Sequence, residues 1–440
     1  MSSVKPFPHP ELSMWQSAVD QIVAKSRSGA QTLDFGSHPA VSQRPNTSDN
    51  MVATTAAIGS NLEKGVSLAD QAPANQGPQA TEGLGDWTKY CSSIWWEIAK
   101  AQVRGDAQAE ANWRAQLGPF GTCDLRYAEA AEQYVEFFRI KKGKVPYKVW
   151  QHLSDFVVDY KIPTKARIAI LGDWGTGQPE AKTLLAAIAR KKPDIIFHLG
   201  DVYYSGTDFE VNNYFLTIWN QILNLPGSGI RTFSLSGNHD MYSGGIAYYK
   251  MIESLGQPAS YFCLRNDDWQ FVALDTGLHD DDTFNSSPTY LEDTEVQWLK
   301  DKIDTAGNRK TVLLSHHQLF TAFEHIAGGW LNPKLNSQLV PLLPKVTAWF
   351  WGHEHNQVIY KPFQGVLGRC IGHGAYPVGI EEINYPPQFP NVPLEPVTLT
   401  KGASFYSHGY LIMDIDGPRA HVAYYQDSDP EDTAMFTEKF

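Results

Sequence analysis

The chain has 440 residues, 42% of them hydrophobic, which is enough for two or three ordinary domains and a large buried core. Its net charge of -12 offers no basic face to a nucleic-acid backbone, so a nucleic-acid partner is disfavoured. No stretch approaches the roughly 18 uninterrupted apolar residues of a membrane span, which argues against a membrane partner.

Residues 1–30 show no charged leader followed by an apolar run. Cys91, Cys123, Cys263 and Cys370 have no Cys-x-x-Cys spacing and read as free thiols. Both features give the expectation of a cytoplasmic protein. Nothing in the sequence assigns an oligomeric state.

Taken in order, residues 1–85 are rich in Ser, Ala, Gln, Asn, Gly and Pro, with Gln71-Ala72-Pro73-Ala74-Asn75-Gln76-Gly77-Pro78 as the clearest linker composition. They read as an extended low-complexity arm with room for one short amphipathic helix over 10–25. Residues 86–161 turn helical: Trp87, Tyr90, Cys91, Ile94, Trp95 and Ile98 recur at three- and four-residue steps behind Asp86, an N-cap type. Further periodic runs cover 124–140 and 146–158. This small Trp-rich region reads as ordinary helix packing, with a cap or oligomer interface as the functional alternative.

From residue 162 to 440, strands alternate with helices. Strands are expected at 167–171, 195–199 and 232–236, with helices at 180–191 and 210–223 between them. Two strands at 261–264 and 269–274 flank the Asn266-Asp267-Asp268 turn. The helix 294–304 leads into strand 311–315, and strand 348–351 precedes a His-rich loop. Strands 409–415 and 420–425 close the chain around Asp416-Gly417-Pro418. Such alternation signals an α/β domain with helices covering sheets.

Five of these strands end in residues that carry chemistry: Gly172-Asp173-Trp174-Gly175, Gly200-Asp201-Val202-Tyr203-Tyr204, Gly237-Asn238-His239-Asp240, Ser315-His316-His317 and Gly352-His353-Glu354-His355. Carboxylate, imidazole, amide oxygen and phenolate are hard to borderline ligands that suit zinc, manganese or iron. Converging at the loop ends of a rigid sheet, they gain affinity. Any one fragment is an ordinary turn, polar loop or surface pair; all five in this order read as one site. Two ions about 3.5–4 Å apart are the usual device for phosphoryl transfer to water.

This ordered set resembles the five motifs of the calcineurin-like metallophosphoesterases, and more narrowly the purple acid phosphatase-like branch, over about 167–425. The narrowing rests on Gly175, which stands where the wider superfamily has a ligating His, and on Tyr204, three residues after Asp201, which would replace it. The resemblance implies a four-layer α/β/β/α sandwich preceded by the helical region. It implies two metal ions, iron paired with iron, zinc or manganese. Asp173, Asp201, Tyr204 and His355 would hold the first, and Asn238, His316 and His353, with Asp201 as bridge, the second. His316 is chosen because it directly follows its strand, with His317 as the alternative.

The implied activity is hydrolysis of a small-molecule phosphate ester, with metal-activated hydroxide attacking phosphorus. His239 would stabilise charge or protonate the leaving oxygen, and Asp240 would orient His239. A phosphomonoester is the expected substrate, with a phosphodiester or nucleotide as the alternative. Arg369 and Lys361 are candidates for a phosphate clamp, His373 for the pocket lining and His325 for a substrate contact. The Asp280-Asp281-Asp282 run lacks calcium-loop spacing and reads as a solvated loop. A dinucleotide-binding reading of Gly172, Gly175 and Gly177 fails because the fingerprint spacing is reversed. A degenerate phosphoesterase scaffold is the non-enzyme alternative, and it would require a lost ligand.

Overall fold

The computed structural model describes residues 143–440, apart from 226, 281–287, 381–386, 404 and 431–432, together with 106–115 and positions 101, 133 and 137. The chain divides into two compact units, Met1–Lys142 and Gly143–Phe440. In the first, helix Ala107–Ala115 starts at Asp106, whose Oδ1 accepts the Ala109 N–H at 2.9 Å as an N-cap does. The arm over 1–85, the helix at 10–25 and the run behind Asp86 lie outside the described residues, as does 124–140 apart from positions 133 and 137.

In the second unit, runs of three to eight residues, most of them apolar and bounded by Gly, Pro or Asp, form strands. These are β1 (Lys165–Leu171), β2 (Ile195–His198), β3 (Arg231–Ser234), β4 (Phe262–Arg265), β5 (Trp269–Ala273), β6 (Lys310–Ser315), β7 (Val346–Trp351), β8 (Gln357–Ile359), β9 (Leu367–Ile371), β10 (Gly409–Asp416), β11 (Arg419–Gln426) and β12 (Phe436–Lys439). One sheet has the order β12-β11-β10-β1-β2-β3 and the other β4-β5-β6-β7-β9-β8. Within them β1, β2 and β3 are parallel, as are β5, β6, β7 and β9. The closing β10–β11 pair is antiparallel, as its Asp-Gly-Pro turn predicts.

The two sheets face each other across one core. Ile168, Phe197, Phe233 and Met413 of the first pack with Phe262, Phe271, Val312 and Phe350 of the second. Stacked rings tie the layers together: Phe197 lies 5.6 Å from both Phe233 and Phe271, and Phe233 lies 5.0 Å from Phe262. The outer faces are covered by helices. Pro179–Arg190, the continuous turns from Asp208 to Leu223 and Ile246–Ser254 pack on the first sheet. Asp293–Asp304 and Pro333–Leu339 pack on the second. The architecture is therefore the expected four-layer α/β/β/α sandwich.

The run 146–158, expected to be a helix, has no helical turn. Its aromatic spacing serves tertiary contacts instead. The Tyr147 hydroxyl donates to Glu295 at 3.0 Å, the Trp150 indole N–H to the Thr294 carbonyl at 2.7 Å, and the Trp298 indole N–H to the Asp155 carbonyl at 2.8 Å. Pro146 and an Asp155 carboxylate that accepts the Gln151 and His152 N–H groups supply turn chemistry where a helix would need continuity.

Candidate metal centre

Parallel strands bring their carboxyl ends to one edge, and the loops leaving β1, β2 and β3 of one sheet and β6 and β7 of the other carry the expected donors. Asp173 (φ 55°), Asp201 (φ 75°) and His353 (φ 66°) all adopt left-handed backbone. Each such residue costs on the order of 1 kcal/mol and persists only where its surroundings enforce it. Close approach is enforced by glycine: a Cβ at Gly237 would lie 2.0 Å from Asp201 Oδ1, and one at Gly352 would lie 2.6 Å from Asp173 Oδ2.

The donors fall into two groups around Asp201. On one side, ligand atoms of Asp173, Asp201 and His355 lie within 4.8 Å of one another. His355 Nε2 is 3.4 Å from Asp173 Oδ1, and the His353 backbone N–H holds Asp173 Oδ2 at 2.9 Å. On the other side, His316 Nε2 is 3.4 Å from Asp201 Oδ1 and 3.1 Å from Asn238 Oδ1, and His353 Nδ1 is 3.2 Å from the same amide oxygen.

The protons around His316 show what this arrangement is suited to hold. Its Nδ1–H donates to the Leu199 carbonyl at 2.9 Å, which leaves Nε2 as a bare lone pair. Burial, with His317 and His353 nearby, keeps the ring neutral by lowering its pKa well below the usual imidazole range. Asn238 Oδ1 and Asp201 Oδ1 thus both lie within 3.4 Å of His316 Nε2, three atoms that can each offer a lone pair. That donor set fits a divalent or trivalent cation.

The carboxylates give the same answer. Burial raises the Asp173 pKa to about 8, and burial together with the Asp173 and Asp240 charges raises that of Asp201 well above the carboxylate range. Burial holds His355 at about 3, so its imidazole is available as a ligand. Because protons compete with a cation for Asp173 below about pH 8, zinc affinity of the metal-stripped protein is expected to rise steadily from pH 6 to 8. Calorimetric titration at the two ends of that range checks it, and an affinity independent of pH would contradict the assignment.

Several expected roles change hands. The hydroxyl that meets the first donor group belongs to Tyr203, which donates to Asp173 Oδ1 at 3.0 Å and lies 3.0 Å from His355 Nε2. Tyr204, expected as the ligand, instead uses its backbone: its N–H bonds Glu210 and its carbonyl accepts His239 Nδ1–H at 2.6 Å. That carbonyl, not Asp240, orients His239. Asp240 instead accepts the backbone N–H groups of Gly237 at 2.8 Å and Asp201 at 2.9 Å, which pins the two ligand loops together.

The His316–His317 doublet stays together, with ligand atoms of His316, His317 and His353 within 4.8 Å of one another, but the two rings have different partners. His317 Nε2 pairs with Asp280 at 2.9 Å and its Nδ1 with the Thr276 hydroxyl at 3.1 Å, while its ring packs 4.4 Å from that of His353. It braces the group, and His316 faces Asn238. Asp280 therefore has a partner, whereas residues 281–282 lie outside the described residues.

The clamp candidates are engaged elsewhere. Arg369 is buried in a bidentate pair with Glu438, at 2.7 and 2.6 Å, and donates to the Tyr360 and Gly368 carbonyls. Lys361 is exposed, His325 packs edge-on to Phe389 at 4.8 Å, and His373 is buried beneath β10 with its carbonyl on the Gly409 N–H. Two groups not singled out in the sequence enter the site: Tyr376, stacked on His355 at 4.0 Å, and Glu324, whose carboxylate lies 4.0 Å from His353 Nε2.

The family model described as calcineurin-like phosphoesterase matches residues 166–357. The 3',5'-cyclic adenosine monophosphate phosphodiesterase CpdA of Pseudomonas aeruginosa is 26% identical over 184 residues, which cover 39% of this chain and 58% of that relative. The match therefore spans less than two thirds of that relative's length. Among solved structures, GAP50, the anchor in the inner membrane complex of Plasmodium, is 13% identical with a TM-score of 0.43, covering 62% of this chain and 88% of its own. A dimetal phosphatase from Danio rerio is 11% identical with a TM-score of 0.41, covering 62% and 98%.

Proposed function

We propose that this chain, whose residues 166–357 match the calcineurin-like phosphoesterase family model, hydrolyses phosphate esters at the centre built around Asp201. Asp173, Asp201, His355 and the Tyr203 phenol would hold one cation, and Asn238, His316 and His353, with Asp201 between the groups, the other. Iron paired with iron, zinc or manganese suits these donors. When bound, such ions lower the pKa of a water and neutralise the phosphate oxygens.

The rest is the work of the chain itself. The Tyr204 carbonyl fixes His239 Nδ1–H, so Nε2, which lies 4.0 Å from Asp201 Oδ2, is turned toward the centre. From there it can give a proton to the departing oxygen. The backbone N–H of His239 holds Asp201 Oδ1 at 3.1 Å, so imidazole and bridging carboxylate move as one. The observation that carries the reading is the convergence of His316 Nε2, Asn238 Oδ1 and Asp201 Oδ1, the two oxygens 3.1 and 3.4 Å from the imidazole nitrogen.

A phosphomonoester is the substrate expected from the sequence. A diester reading has its own support: the side chain 4.0 Å from His353 Nε2 is the Glu324 carboxyl, whose burial raises its pKa to about 7, rather than a cation, and Arg369 is held by Glu438. CpdA, similar over part of its length, is by name a phosphodiesterase of a cyclic diester. Turnover of an aryl phosphate monoester and of the matching diester, measured side by side after loading with iron, zinc or manganese, separates the two. No turnover of either with any metal would defeat the enzymatic reading.

The phenol assignment has a separate readout. With ferric iron bound, the Tyr203→Phe variant is expected to lose visible tyrosinate-to-iron absorption while Tyr204→Phe retains it. The reverse pattern would return the ligand role to Tyr204.

A further inference from the structure

We infer that Tyr242 is a positioning residue that holds the Asn238 amide, through Nδ2–H, with its oxygen toward the second cation; the inference rests on the two-cation reading above. A primary amide has two unlike ends in nearly the same shape, and only Oδ1 can ligate a metal. In the buried Asn238 side chain, Nδ2 donates to the Tyr242 hydroxyl at 2.6 Å, while Oδ1 faces His316 Nε2 at 3.1 Å and His353 Nδ1 at 3.2 Å.

The chemistry of the flipped amide explains why a partner for Nδ2 matters. With its Nδ1–H committed to Leu199, His316 offers Nε2 as an acceptor. Rotating the Asn238 amide would aim Nδ2–H at that lone pair, producing an ordinary hydrogen bond that occupies two ligand atoms at once. The site would then satisfy itself and exclude the ion. A hydroxyl both donates and accepts and so would suit either end of the amide; what Tyr242 supplies is a partner for Nδ2–H in the ligating orientation, so that turning Oδ1 to the cation buries no unpaired N–H.

Local structure delivers the hydroxyl. Asn238 and Tyr242 stand four residues apart across the turn Asn238–Met241, with Tyr242 as its C-terminal cap, so their side chains share one face. The Tyr242 ring also lies 4.9 Å from the His239 ring, which gives Tyr242→Phe the same packing without the acceptor.

The test is calorimetric titration of the metal-stripped full chain with zinc alone, for wild type, Tyr242→Phe, Asn238→Asp and the Asn238→Asp/Tyr242→Phe double variant. Wild type is expected to bind two ions. Tyr242→Phe is expected to weaken the second by about 10- to 100-fold, the usual effect of losing a group that orients a ligand, and to leave the first unchanged. Aspartate has two equivalent oxygens and no amide to turn, so adding Tyr242→Phe to Asn238→Asp should change the second affinity by less than about twofold, which a merely structural tyrosine would not produce. Two ions bound by wild type and equally well by Tyr242→Phe would overturn this inference alone, as would a double variant that loses as much again. A wild-type chain that binds one zinc ion overturns the two-cation reading and this inference with it.

Discussion

Asp201→Ala is expected to release metal and to reduce ester hydrolysis by at least about 10²- to 10³-fold, the scale on which one electrostatic stabiliser acts in a closed site. Asp201 is 1% exposed and stands between the two donor groups, 3.4 Å from His316 and within 4.8 Å of the ligand atoms of Asp173 and His355, so neither group is complete without it. Because its backbone is left-handed and its Oδ1 accepts the His239 N–H, a loss with alanine could come from the loop rather than the charge. Asp201→Asn keeps shape and an accepting oxygen and removes only the charge, so it should lose metal as well. Elemental analysis of both variants, with thermal melts as a check on folding, decides the matter. Two ions retained in Asp201→Asn would remove Asp201 from the bridging position.

The second large effect is expected at His239, and it should differ in kind. His239→Ala should lower turnover by about 100-fold or more with metal content near wild type, since its ring is tied to the Tyr204 carbonyl and approaches Asp201 no closer than 4.0 Å. A proton donor matters most when the leaving oxygen is basic. The deficit is therefore expected to be large for an alkyl ester and to shrink for an activated aryl ester whose oxygen departs without help. Equal deficits for both esters would move His239 from proton donor to charge stabiliser, and unchanged turnover would remove its catalytic role. Asp240→Asn provides a contrast: Asp240 holds the Gly237 and Asp201 N–H groups, so that change should show in metal affinity rather than in leaving-group dependence.

Ligand type and order were legible in the chain because loops at the carboxyl ends of parallel strands must carry the chemistry of such a sheet. Gly172-Asp173, Gly200-Asp201, Gly237-Asn238, His316 and the Gly352-to-His355 loop stand where an apolar run stops, and the structure brings all five to one edge. The sandwich was legible for a related reason. Runs of β-branched and aromatic residues with helical periods between them can bury their faces in few other ways.

What the chain order left open are choices between neighbours. Tyr203 or Tyr204, His316 or His317, and Asp240 or a backbone carbonyl as the group orienting His239 differ by one residue or by one atom type. Successive side chains point different ways, so the decision passes to backbone torsions and to partners far along the chain. His317 is drawn aside by Thr276 and Asp280, some forty residues earlier, and His316 is aimed by the carbonyl of Leu199. The stretch 146–158 went the same way, since its apolar spacing suits a helix yet its hydrogen bonds are taken by Glu295, Thr294 and Trp298. By itself the sequence determined which donor chemistry this protein has and the strand ends that carry it, because those depend on residue type and local pattern; which atom of each neighbouring pair faces the centre was decided only by tertiary structure, because that depends on long-range hydrogen bonds and packing that no local pattern records.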